Sequence, residues 1–227
     1  MKNKILLWIN IIVAIVMLSL NVLYLFVWHT TSLLKDGNSI LFVLLGILNF
    51  AVFYKDCTKK YKLVSLFIVL GLIFGMLGDF LLGKNFILGA VLFAIGHIFY
   101  IISFVCIKKY TLKDFAVLLI LLAVFAFILL IPNIYFGQYL PLVLGYAFVI
   151  SVMTAKAISN LIFEQKDFQN ILLCIGAVLF YVSDLMLMFY NFANPLLVYD
   201  YLCLLTYIPS QIMFAISIFK FKNKERQ

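Results

Sequence analysis

Long apolar runs alternate with short polar breaks along the whole chain. A membrane-spanning helix needs about 20 mostly apolar residues, roughly 17–25. On that ruler the pattern predicts eight helices, over 5–27, 38–54, 62–83, 86–107, 114–131, 138–160, 169–190 and 196–219. The second and fifth runs are short. The first run begins with Lys2 and Lys4, as a signal peptide does, but its apolar stretch is too long and no small-residue cleavage site follows. It is expected to stay as an anchor. No linker, low-complexity tract or charge block interrupts the pattern, so the expectation is a single transmembrane helical domain over 1–227. The fold class is all-α, a polytopic membrane bundle of about eight helices. One internal echo, GDFLLGKNF at 78–86 against SDLMLMFYNF at 183–192, is compatible with a parallel four-plus-four repeat.

Composition sharpens this picture. The chain is 67% hydrophobic and 11% charged, against roughly 45–50% and about 25% in soluble domains, which leaves almost nothing for a soluble domain. The net charge of +8 does not indicate nucleic-acid binding, because the cations sit in short loops between apolar runs. Such loops orient a membrane protein and contact lipid headgroups. The N-terminus, the second, fourth and sixth loops (with Lys156 counted among them) and the C-terminal tail hold 15 of the 17 Lys and Arg. Only Lys35 and Lys84 lie on the opposite face. Both termini are therefore expected in the cytoplasm, with the chain in the plasma membrane. Trp8 and Trp28 bracket the first helix as interfacial aromatics do. The four cysteines form no CxxC pair and are expected as free thiols. Two histidines, His29 and His97, exclude a three-histidine zinc site. No metal and no cofactor is expected; His29, beside Trp28 in an outer loop, reads as solvated.

Ionisable groups inside apolar helices are costly and mark functional sites by default. On the third helix, Gly71, Gly75 and Asp79 share one face at i, i+4, i+8. Small residues there let a neighbouring backbone approach and turn the acid inward. The plainer reading pairs Asp79 with Lys84 at the interface. On the fourth helix, Phe93, His97, Tyr100 and Phe104 form a stripe. His97 is either a structural imidazole or a proton-transfer group. On the seventh helix, Gly176, Phe180 and Asp184 repeat the i, i+4, i+8 pattern, with Ser183 beside the acid. On the eighth, Tyr207 and Gln211 share a face around Pro209, which frees the Leu205 carbonyl. Tyr146 and Met153, seven apart on the sixth helix, either line the same cavity or merely pack. Asp200 reads as an interfacial charge at a helix start. The candidate catalytic groups are thus Asp79, Asp184 and His97. The candidate substrate-binding groups are Tyr100, Tyr146, Ser183, Tyr207 and Gln211. Asp79, His97, Asp184, Tyr207 and Gln211 are expected to converge on one cavity in the outer half of the bundle.

Four motifs in order resemble the lysoplasmalogenase-like YhhN family over about residues 60–215. They are the GD of the third helix, F-x-x-G-H-x-x-Y (Phe93, Gly96, His97, Tyr100), G-A-x-x-F-x-x-S-D of the seventh helix, and T-Y-x-x-x-Q of the eighth. The resemblance implies hydrolysis of the vinyl ether bond of lysoplasmalogens, giving a fatty aldehyde and a glycerophospho-ethanolamine or -choline. The implied partners are a lysophospholipid substrate and membrane lipids. Two carboxyls in unlike environments can divide acid and base roles. Asp184, deeper along its helix, is then expected as the acid and Asp79 as the base that activates water, with His97 orienting the water or replacing either. A rival reading is a small proton-coupled transporter or lipid-binding membrane protein using the same acids as a relay.

Overall fold

The computed structural model describes residues 2–26, 32–164, 166–193 and 195–219. His29, Trp28 and the basic tail beyond Phe219 lie outside the described residues. Eight α-helices follow in order: α1 Lys2–Phe26, α2 Ser32–Phe53, α3 Lys59–Leu82, α4 Phe86–Ile107, α5 Leu112–Leu129, α6 Leu140–Phe163, α7 Phe168–Phe192 and α8 Leu197–Ser217. A 3₁₀ turn, Gly137–Tyr139, leads into α6. All eight helices are long and apolar enough to cross a membrane. Their ends lie within three residues of the sequence expectation, with one exception. Helix α2 begins at Ser32 and not at 38, because Lys35 and Asp36 sit inside its first turns. Charges near a span's end reach the interface and do not break the helix.

The sharpest turns are explained locally. Asn85 caps α4 by accepting from the Leu88 amide at 3.0 Å, and Asp167 caps α7 through the Asn170 amide at 2.9 Å. At α5, Thr111 and Asp114 close a capping box. Lys156 differs from its sequence reading as a loop cation. It is 1% exposed, and its ammonium donates to Asp114 at 2.9 Å and to the Lys109 carbonyl at 3.1 Å. The α4–α5 connection is thereby pinned to α6.

Helix α3 packs most extensively on α4, and α7 on α8. The α3–α4 hairpin is tight because a Cβ on Gly89 would stand 2.5 Å from the Leu82 backbone. Pairing repeats with a shift of four helices. Helices α2–α3–α4 correspond to α6–α7–α8, and the contact of α2 with α8 corresponds to that of α6 with α4. The buried core runs between the two halves through Phe42, Ile68, Leu72, Phe104, Met153 and Phe214. Asn10 and Asn49 exchange amide hydrogen bonds at 2.9 and 2.7 Å, and Asn49 also donates to the Ala215 carbonyl at 3.0 Å, tying α1, α2 and α8 together. The outward faces of α1 and α5 expose Trp8, Ile12, Leu119 and Phe127, which suits contact with lipid.

Candidate active site

Two polar centres lie between the halves, each built crosswise. In one, Asp184 on α7 accepts from the Tyr146 hydroxyl of α6 at 2.7 Å. His97 on α4 brings its Nε2 to 2.9 Å from the Tyr146 oxygen and 3.3 Å from the same Asp184 oxygen. His97 is fully buried, while the Asp184 side chain keeps 13% of its surface. In the other, Asp79 on α3 accepts from Ser39 of α2 at 2.6 Å and from Tyr207 of α8 at 2.7 Å, both through Oδ2. Under the shift of four helices, Asp79 corresponds to Asp184, Ser39 to Tyr146 and Tyr207 to His97. Each acid is held by the helix before it and by the returning helix of the opposite hairpin. Lys84 is not the partner of Asp79: it sits exposed in the α3–α4 turn.

The Asp184 centre meets a cavity. About 660 Å³ of space, counted out to its mouth, lies between α4, α5, α6 and α7. Its walls are almost wholly apolar: Phe86 and Phe93 of α4, Phe125 of α5, Val143 and Ile150 of α6, Leu185, Met188 and Phe192 of α7. Asp184, Tyr146 and Tyr181 supply its polar atoms. Phe192 and Phe86 mark the end of the bundle that carries the α3–α4 turn. Asp184 lies eight residues before Phe192, so the carboxyl is about 12 Å inside at 1.5 Å per residue.

The expected convergence of Asp79, His97, Asp184, Tyr207 and Gln211 on one cavity is not met, since of these only Asp184 lines it. Asp184 and Tyr146 line the cavity, and His97 stands behind them. Asp79, Tyr207, Tyr100, Ser183 and Gln211 do not line it. Asp79 and Tyr207 meet each other. The Tyr100 hydroxyl donates to Gln211 Oε1 at 3.0 Å, and Ser183 Oγ lies 3.4 Å from Cys203 Sγ. Met153, seven residues after Tyr146, is fully buried in the core. Between the two centres stands Phe180, whose ring packs 4.6 Å from His97 and 5.2 Å from Tyr207. Sequence reasoning missed Ser39; its signal is the buried Asn38–Ser39 polar pair at the start of an apolar run.

The Asp184–Tyr146–His97 geometry can move a proton. Tyr146 has one hydrogen and touches both neighbours. With Asp184 ionised, Tyr146 donates to the carboxylate and His97 donates from Nε2. With Asp184 protonated, the acid donates to Tyr146, which donates to an unprotonated Nε2. The two arrangements differ only by shifts along short hydrogen bonds. Among the described residues no group of three His, Cys, Asp or Glu side chains is placed to hold a metal ion.

Eight apolar helices around a carboxyl–tyrosine–imidazole cluster define a multi-pass membrane protein with that hydrogen-bonded cluster at the end of an apolar cavity. Residues 38–218 match the YhhN family, and the chain belongs to it. No curated protein and no solved structure matches the chain.

Proposed function

We propose that the protein is a membrane-embedded hydrolase that cleaves the vinyl ether bond of lysoplasmalogens, the activity its family resemblance implies. The observation that carries this reading is the apolar cavity ending on Asp184 and Tyr146, with His97 behind them. A single alkenyl chain suits such walls, gaining about 0.8 kcal/mol per buried methylene. Protonated Asp184 delivers its proton to the alkene carbon remote from oxygen. The C=C electrons form the new C–H bond, and the ether oxygen stabilises the resulting oxocarbenium ion. Water then adds to the oxygen-bearing carbon and returns a proton to the Asp184 carboxylate. The hemiacetal collapses to a fatty aldehyde and the glycerophospho-alcohol, so one water is consumed and the acid is restored. One carboxyl thus serves first as acid and then as base, as the acid/base residue of retaining glycosidases does. Water activation passes from Asp79 to Asp184 in this scheme, because Asp79 lies outside the cavity with one oxygen already held by two hydroxyls.

The proposed location is the plasma membrane, and the lysine and arginine asymmetry supports an orientation with both termini cytoplasmic. The cavity then belongs to the outer half of the bilayer. The repeated carboxyl centres also favour a second reading, a proton-coupled transporter whose two acids serve as a relay. The two readings separate in one assay. Purified protein incubated with lysoplasmalogen releases aldehyde if it is the hydrolase. Movement of intact lipid across vesicles without any aldehyde decides for transport.

A further inference from the structure

The Asp79 centre does not line the cavity, yet its geometry reaches the imidazole that backs Asp184. His97 is fully buried and, among the described residues, its Nδ1 has no hydrogen-bond partner. Only Nε2 is engaged, on Tyr146 and Asp184. A ring tethered through one nitrogen keeps its orientation by packing. The closest aromatic packing is Phe180, edge-on at 4.6 Å and 77°. Phe180 in turn leans on Tyr207 at 5.2 Å, and Phe93 closes the triangle at 5.9 Å from Tyr207 and 6.3 Å from Phe180. Tyr207 is itself fixed, because its hydroxyl is anchored on Asp79 Oδ2, where Ser39 also donates.

We propose that Asp79 is a positioning residue for His97, acting through Tyr207 and Phe180. The proposal rests on the reading of the Asp184 centre as the site of chemistry, since it gives Asp79 a role in that centre. The internal repeat supports it. One turn before Asp79 stands Gly75, where a Cβ would lie 3.5 Å from the Tyr207 hydroxyl. One turn before Asp184 stands Phe180. The half with glycine leaves room for Tyr207 to reach its acid; the half with phenylalanine fills the equivalent space and presses on His97. Freed of its anchor, Tyr207 no longer backs Phe180, and the imidazole gains room to turn away from Tyr146.

The chain has two histidines, so His29→Gln leaves His97 as the one imidazole. Ring-nitrogen NMR on ¹⁵N-histidine protein in detergent then reads His97 directly, without any substrate. Tyr207→Phe, which keeps the ring and removes only the hydroxyl, is expected to shift or split the His97 nitrogen signals, and Asp79→Asn to do the same. Ser103→Ala removes another buried hydroxyl of α4, bonded to the Val64 carbonyl, and is expected to leave them in place. If Asp79→Asn does not fold, Tyr207→Phe carries the test alone. In the aldehyde assay, Tyr207→Phe is expected to lower kcat by up to about 100-fold, the scale of a small misplacement, at unchanged KM. It should add no further loss in a His97→Asn background. His97 signals that superimpose on wild type in Tyr207→Phe, or kinetic losses that simply multiply, would overturn the proposal. Signals that move as expected in a protein that releases no aldehyde would leave the positioning link standing and remove the hydrolase reading.

Discussion

Replacing Tyr146 by Phe tests the proton relay with the smallest possible change. The substitution deletes one oxygen and keeps the ring, its edge-on packing on His97 at 5.4 Å and its place in the cavity wall. Two contacts disappear, the 2.7 Å hydrogen bond to Asp184 and the 2.9 Å contact with His97. The direct Asp184–His97 approach at 3.3 Å remains, so the relay is weakened and not abolished. A hydrogen bond to a charged group contributes about 1.5–3 kcal/mol. If that contribution is made in the transition state, kcat falls by roughly 10- to 150-fold, at 1.36 kcal/mol per decade. Removing the proton donor itself in Asp184→Asn is expected to cost more, about 100- to 10,000-fold. The hydroxyl adds little to apolar contact with the chain, so KM should hold. The assay is initial-rate aldehyde release from lysoplasmalogen in mixed micelles, with unfolding temperature measured on the same preparation. Turnover within about threefold of wild type, less than the smallest loss a hydrogen bond to charge implies, would show that Tyr146 only packs and would remove it from the mechanism.

Filling the cavity by Ala147→Phe should raise KM for long alkenyl chains more than for short ones, which a chain-length series measures. Lys156→Met leaves Asp114 as a buried unpaired charge and should destabilise by about 3–5 kcal/mol, read as a lowered unfolding temperature in detergent. Unchanged stability there would mean the pair is solvated. Gly89→Ala should wedge α3 from α4 and abolish folded yield, because its Cβ meets the Leu82 backbone at 2.5 Å. Gly83→Ala, where nothing lies within 4 Å of the added carbon, should be tolerated. Equal yields of the two variants in size-exclusion chromatography would contradict the close-packed hairpin.

The span pattern was legible because a bilayer imposes one length rule on every helix, and each apolar run met it. The start of α2 was not, because the rule halts at Lys35 and Asp36 while helical hydrogen bonding runs on through them. The acids and His97 were visible as ionisable groups set in apolar runs. Their partners were not. Adjacency in sequence couples Asp79 with His97 inside one hairpin, and Asp184 with Tyr207 inside the other. The folded helices exchange these partners, because α4 leans on α6 and α8 on α2. That choice depends on which small residues face which rings, as where Phe93 lies 2.7 Å from the Cβ position of Gly78, and spacing along one helix carries no such information. Lys156 was misplaced for a related reason: its acid, Asp114, stands 42 residues back at the start of the preceding helix, and only the packing of α5 on α6 brings the two within 2.9 Å.

In the proposed hydrolysis, Asp184 protonates the vinyl ether carbon at the end of the cavity. Purified protein given lysoplasmalogen in D₂O tests it most directly, with the released fatty aldehyde analysed by mass spectrometry. The account predicts aldehyde carrying one deuterium on the carbon beside the carbonyl from the wild-type protein, and release slowed about 100- to 10,000-fold in folded Asp184→Asn. No aldehyde from wild type, or a wild-type rate from Asp184→Asn, would contradict it.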